Sequence, residues 1–284
     1  MPLINIKNLQ KTIGALTVLD KVSIEINRND KIALIGHNGA GKTTLIRCIL
    51  GMYNYKGGIE MNGLCPRLNR TDVLKQIGFV PQTPPPIRMQ LKDLLLLNNS
   101  MSSVDIIEDI HEICGRMGFD LAASINKSFI QLSGGMKQKL LIALAIVRKP
   151  LFLILDEPVA NIDPQGQSQF LKEVSDLTQD TTMLICSHRL EEMLPYVNRV
   201  IEMEKGSVIW DETIAMNEGN DSIKFFSVRL SGAPGQTLSQ ILRRWNFSQV
   251  SDFVFEAKVH EKMSGKLTEA LLKFSGIIET TEIK

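Results

Sequence analysis

The sequence predicts an α/β fold built on a parallel sheet, with a mostly helical insertion and a smaller α+β unit toward its carboxyl end. Three observations carry that expectation. The apolar runs KIALI (31–35) and LFLIL (151–155) are too short for helices and read as strands buried on both faces. The first runs through a glycine-rich segment straight into the helical pattern TLIRCIL (44–50). Strand and helix then alternate again through TTMLICS (181–187) and HRLEEML (188–194), the pattern of crossover-connected parallel strands.

LINIKNL (3–9) and LTVLDKVSIEI (16–26) alternate apolar and polar residues and predict two strands facing a core on one side, with a turn at Gly14. YNYKGGIEMNG (53–63) reads as a glycine-rich hairpin and KQIGFVPQ (75–82) as a strand. Pro84, Pro85 and Pro86 then force an extended turn. Helical periodicity follows from Leu91 to Phe119, so a helical insertion is expected over about 84–135, before a helix that opens at Ser133. VIEMEKGSVIW (200–210) predicts a closing hairpin.

MNEGNDS (216–222) turns polar and separates a larger domain, 1–217, from an accessory domain, 222–284. In the latter KFFSVRL, TLSQILRRW, VSDFVFEAKV, KLTEALLKF and IIETTEI read strand, helix, strand, helix, strand, with no evident set of chemical groups.

A chain of 284 residues can bury a sizeable core, and its 44% hydrophobic and 22% charged residues are ordinary for a globular protein. The net charge of +1 gives no electrostatic reason to expect direct nucleic-acid binding. Cys48, Cys65, Cys114 and Cys186 lack a CxxC or metal spacing, three of them in apolar or helical contexts, so a reducing cytoplasm and no structural metal are expected. No basic region followed by an apolar core opens the sequence, and its longest apolar runs fall short of a membrane span.

The chemistry concentrates in GHNGAGKT, Gly36 to Thr43, which fits G-x-x-x-x-G-K-T between a predicted strand and helix. Gly36, His37, Asn38, Gly39, Ala40, Gly41 and Thr44 would line a backbone cradle whose N–H groups, with the helix start, hold phosphate. Lys42 would reach the β and γ phosphates, and the Thr43 hydroxyl would bind Mg²⁺. A chance match in a chain this long is rare, about one in a hundred from residue frequencies. LFLILDE delivers Asp156 to the carboxyl edge of the sheet to hold Mg²⁺ through water, and places Glu157 to act on the attacking water. An apolar strand ending in Asp-Glu is by itself a weak signal and gains its meaning from the loop before it.

These motifs in this order resemble the nucleotide-binding subunit of an ABC transporter, over about residues 3–213. The resemblance implies a RecA-like P-loop NTPase core with an amino-terminal antiparallel β subdomain and a helical insertion. It also implies that Leu132, Ser133, Gly134, Gly135 and Met136 are the signature, although Ser133 would equally serve as a plain helix N-cap. Gln82 is implied to touch Mg²⁺ and the attacking water and His188 the γ-phosphate and Glu157, while Asp163 resembles the aspartate of the loop that crosses to a partner subunit. Two residues depart from the family pattern. Ile13 stands where an aromatic ring usually stacks on adenine, and Met136 replaces the final Gln of the signature.

The resemblance further implies ATP and Mg²⁺ as cofactors and ATP hydrolysis as the activity. It implies a head-to-tail dimer, with a second copy or another ATPase chain, and a separate transmembrane permease subunit at the cytoplasmic face of the membrane. Met136 at the end of the signature, Lys137 after it and the carboxyl-terminal extension resemble exporter-type subunits, among them cassettes that serve copper-site maturation in nitrous oxide reductase. A soluble ABC ATPase acting on ribosomes or DNA is the alternative, although such proteins usually carry two cassettes or a long coiled coil. A P-loop phosphotransferase would leave the signature and His188 without a role.

Overall fold

The computed structural model describes the chain apart from residues 103, 161, 163, 189, 215–222, 246 and 284. It divides into two units, Met1–Thr213 and Ile214–Lys284.

The first unit begins with an antiparallel sheet. β1 (Ile4–Ile13) pairs with β2 (Leu16–Ile26) on one side and β4 (Lys56–Met61) on the other. Alternation puts Ile4, Ile6, Leu9, Val22, Ile24 and Ile26 into the core, all at most 3% exposed. The glycine-rich segment 53–63 does not form a hairpin with itself. It supplies β4, which pairs with β1 because Gly57 sits where any Cβ would lie 2.3 Å from the Asn8 carbonyl oxygen.

The second sheet has the order β5-β6-β7-β3-β8-β9, built from β3 (Lys31–Ile35), β5 (Ile77–Val80), β6 (Phe152–Asp156), β7 (Thr182–Ser187), β8 (Arg199–Glu204) and β9 (Ser207–Thr213). The first five run parallel and β9 closes the edge antiparallel to β8. β6 and β7 are buried at every position, as continuous apolar runs require in a sheet covered on both faces. The helices packed with these sheets include α1 (Lys42–Ile49), the short α2 (Arg70–Leu74), α6 (Pro164–Leu177) and the short α7 (Leu190–Met193). Between β5 and β6 the insertion carries α3 (Leu91–Ser100), α4 (Ile107–Arg116) and α5 (Gly134–Ile146). Cys48, Cys114 and Cys186 are buried and Cys65 is half-buried.

Arg199 pins the start of β3 to the closing edge. Its guanidinium donates to both carboxylate oxygens of Asp211 at 2.7 and 2.8 Å, to Asp30 at 2.8 Å and to the Glu25 carbonyl at 2.6 Å. Lys31 is buried, and its ammonium donates to the Thr178 and Thr181 carbonyls just past α6. Burial pulls its pKa from the ordinary 10.5 to about 8.

The second unit alternates β10 (Ile223–Leu230), α8 (Gln236–Arg244), β11 (Ser248–Ser251), β12 (Val254–His260), α9 (Glu261–Leu272) and β13 (Ile278–Ile283). The order β11-β12-β10-β13, antiparallel throughout, is that of a split βαβ fold. The segment 250–259, expected as one strand, is split by a turn at Asp252 and Phe253 into a hairpin. Only Ser251 and Asp252 hinted at the break, because Phe253 turns the chain at φ 59° without the Gly or Asn that would mark it.

Two outcomes follow for stability. Arg199→Ala leaves two partly buried carboxylates unpaired and should cost about 3 kcal/mol in urea unfolding, with Arg199→Lys recovering only part because the paired donation is lost. Folded Lys31 loses its proton below the unfolded chain's pKa, so the unfolded state binds more protons between pH about 8 and 10.5 and stability from this site rises with pH across that window. Lys31→Met should remove that rise from the difference between pH-dependent unfolding curves.

Candidate functional site

At the carboxyl end of β3 the chain leaves the sheet and turns into α1 through Gly36 to Gly41. The turn demands glycine at two points. Gly36, at φ 148°, lies so close to the next strand that a Cβ would sit 2.4 Å from the Met203 carbonyl oxygen. Gly41, at φ 106°, caps α1 where a Cβ would meet the Leu19 side chain at 2.9 Å and the Val18 carbonyl at 3.0 Å. A third contact fastens the loop from below, where the Gly206 N–H donates to the Ala40 carbonyl at 3.0 Å.

Lys42 is 7% exposed and folds back over this loop, donating to the Gly36 carbonyl at 2.5 Å and the His37 carbonyl at 3.4 Å. A buried ammonium satisfied only by carbonyl dipoles is a strong anion attractor. His37, Asn38, Gly39, Ala40, Gly41, Lys42, Thr43 and Thr44 line a cavity of about 140 Å³, joined by Val18, Gln82, Asp156 and Glu157. Gly36 contributes its carbonyl to Lys42 instead of lining the cavity.

β6 delivers the carboxylates. The Thr43 hydroxyl donates to Asp156 Oδ2 at 3.3 Å, and burial raises the Asp156 carboxyl above the usual carboxylate range despite that bond. The next residue, Glu157, is 7% exposed and adopts φ 50°, a conformation that costs a non-glycine residue about 1–2 kcal/mol. Its N–H still donates to the Cys186 carbonyl at 3.1 Å, so the backbone stays tied to β7 while the side chain turns to the cavity. His188, just past β7, meets Glu157 with Nδ1 3.0 Å from Oε2, its own side chain 57% exposed.

The oxygen pair of Thr43 and Asp156 suits a hard divalent cation. Mg²⁺ is commonly held by one or two protein oxygens plus substrate phosphates and water, and a buried carboxylate with a raised pKa is stabilised as the anion by such a cation. Among the described residues no group of three His, Cys, Asp or Glu stands at metal-binding distance, so the protein's share of such a site would be small.

The signature segment lies elsewhere. Ser133 caps α5, its hydroxyl accepting from the Met136 N–H at 3.2 Å, and Ser133 and Gly134 are exposed while Gly135 is half-buried. None of these three lines the cavity. Ile13 ends β1 at 48% exposure, opposite Leu16 and away from the cavity lining, where Val18 is found. Asp163 lies outside the described residues. Sequence reasoning missed Val18, Met203 and Gly206, which shape the loop through backbone atoms. Only the turn residue Gly206 carried any signal, and that signal predicts a hairpin alone.

Residues 19–160 match the family model for ABC transporters. The chain is 34% identical over 217 residues to an energy-coupling factor transporter ATP-binding protein of Clostridium tetani, covering 72% of this chain and 74% of that one. It is 29% identical to a phosphate import ATP-binding protein of Thermotoga maritima, with 73% and 89% covered. It is also 29% identical to a putative export ATP-binding/permease protein of Rickettsia typhi, covering 72% of this chain but 38% of that longer one. The solved structure of an ATP-binding subunit of an ABC transporter superposes with a TM-score of 0.68 at 26% identity, over 74% of this chain and 90% of that chain. The chain belongs to the ABC transporter family and is an ATP-binding, ATP-hydrolysing subunit of a transporter.

Proposed function

We propose that this chain binds ATP with Mg²⁺ between its own phosphate-binding loop and the signature segment of a second ATPase subunit. In this reading hydrolysis opens that sandwich and drives a separate transmembrane permease subunit at the cytoplasmic face of the membrane. One observation carries it: Glu157, buried, strained and bonded to His188, faces the same small cavity as Lys42, Thr43 and Asp156.

Each residue then has a task. The loop N–H groups of Gly39 to Thr44 and the Lys42 ammonium hold the phosphates and fix the reacting phosphorus in line with the attacking water. Thr43 and Asp156 would hold Mg²⁺ from the protein side, with Gln82 of the cavity lining within the same site to reach it and the water. The cation, when bound, supplies charge neutralisation at the phosphate oxygens. Glu157 accepts the proton of the water, and His188 orients that carboxylate and extends to the terminal phosphate. The contribution of such a base is about 10²–10⁴ in rate.

The need for a second subunit is supported by the cavity. About 140 Å³ holds phosphates and leaves the rest of a nucleotide uncovered, while Ser133, Gly134 and Gly135 present a helix start of the kind that binds anions without reaching the chain's own loop. Two-fold symmetry resolves the mismatch, because two copies placed head to tail complete two sites at once. A homodimer or a pairing with another ATPase chain both satisfy it, and Asp163 is assigned by resemblance to the crossing loop. Residues 1–217 form the ATPase in this proposal and 222–284 an accessory domain. Among the described residues no helix is long and apolar enough to cross a membrane, which is consistent with a permease encoded as its own chain. Export is the direction favoured by Met136, Lys137 and the carboxyl-terminal extension, while the relatives above include both import and export proteins.

The deciding experiment is Glu157→Gln. ATP turnover should fall by about 10² or more, and an ATP-dependent dimer should accumulate in light scattering. Turnover at the parental rate would remove Glu157 from the reaction. Ile13→Tyr, which restores a ring beside the base, should lower KM for ATP about two- to tenfold with kcat little changed, since stacking is uniform binding.

A further inference from the structure

We propose that the carboxyl-terminal unit holds a binding site for a small, neutral, planar aromatic molecule bearing a hydrogen-bond donor, in the cleft between α8 and the β11–β12 hairpin. The cleft has a volume of about 470 Å³ and lies inside this unit alone. That is the size of many small-molecule sites, roughly 300–1,000 Å³. Three phenylalanines, Phe247, Phe253 and Phe255, wall it together with Leu242 of α8. None of the rings is fully buried: Phe253 is 43% exposed, and Phe247 and Phe255 are half-buried. Burial of such rings is a main source of core stability, and here three converge on open space instead.

Phe253 supplies a second and independent observation. It turns the hairpin at φ 59°, a left-handed conformation in which a bulky side chain is an outlier and Gly, Asn or Asp the usual residue. The ring is too exposed for its packing to account for that choice. A role for the ring itself, at the lip of the cleft, does account for it.

The polar groups narrow the ligand. Ser239 Oγ donates its proton to the Pro234 carbonyl at 3.2 Å, which leaves its lone pairs to accept. Gln249 donates through Nε2 to the Ser251 carbonyl at 3.3 Å, which leaves Oε1 as an acceptor. Among the described residues no charged side chain lines the cleft, so an ionised ligand would lose its hydration without compensation. Ring faces favour a planar π system, and the two acceptors favour a ligand N–H or O–H. The inference stands apart from the ATPase reading, since none of these residues belongs to the nucleotide site.

The test uses the full chain and indole as the probe, followed by calorimetric titration. Indole should bind saturably at one site, with benzoate and cyclohexanol each at least about tenfold weaker. Phe253→Gly should weaken indole by about tenfold or more while leaving the thermal midpoint unchanged or higher, because glycine adopts this φ without strain. Gln249→Leu should weaken indole but not N-methylindole, which lacks the donor. Equal uptake of cyclohexanol, unsaturable binding, or a Phe253→Gly protein that binds indole like the parent would each overturn the proposal. So would a Phe253→Gly protein that unfolds at a markedly lower temperature, which would make the ring a structural one.

Discussion

The close approach of backbone to backbone beneath the phosphate-binding loop is the constraint on which the rest depends. Gly36 lies against the Met203 carbonyl, Gly41 against Val18, and Gly206 both donates to Ala40 and passes where a Cβ would meet the Val18 carbonyl at 2.4 Å. A single methyl at any of these points would push the loop off the sheet, and with it the start of α1. Because Lys42 and Thr43 are the first residues of that helix, their side chains are placed by the same contacts. The antiparallel sheet, through Val18 and Leu19, and the β8–β9 hairpin, through Met203 and Gly206, are therefore parts of the nucleotide site although neither contributes a reacting group.

A second consequence is the sharing of strain and polarity at the sheet edge. β6 and β7 are buried throughout, which leaves Asp156 and Glu157 to emerge where the apolar run stops. Burial penalises the Asp156 charge, and the left-handed backbone penalises Glu157, yet both are retained within one cavity. Neither residue would be selected for stability there. Their costs are offset by the extensive apolar core that sandwiches the strands, and costs of this kind cluster where a fold carries chemistry.

The geometry also separates the groups that converge on the cavity from those that do not. The loop, the carboxylates and His188 converge, whereas Ser133 and its glycines face outward from a helix start with no role in the chain's own cavity. The carboxyl-terminal unit differs in kind: it has its own four-stranded sheet, and the cleft beside α8 is walled by aromatic rings, with no charged group among the described residues that line it.

Much of this was legible in the sequence because it is local. KIALI, LFLIL and TTMLICS declared their burial by composition, and the spacing Gly36 to Thr43 encodes a turn whose chemistry resides in consecutive residues. The alternating strands of the first sheet were equally plain. Segment 53–63 was misjudged because its strand finds its partner in β1, about fifty residues earlier, and segment 250–259 because Phe253 takes the left-handed position of its turn, where Gly or Asn is usual. Tertiary structure alone decided that Val18, Met203 and Gly206 frame the loop, since they act through carbonyls and N–H groups that every residue possesses and no sequence pattern can mark. It alone also decided that Glu157 meets His188 at 3.0 Å, a distance fixed by the register of two neighbouring parallel strands and by one left-handed residue between sheet and cavity.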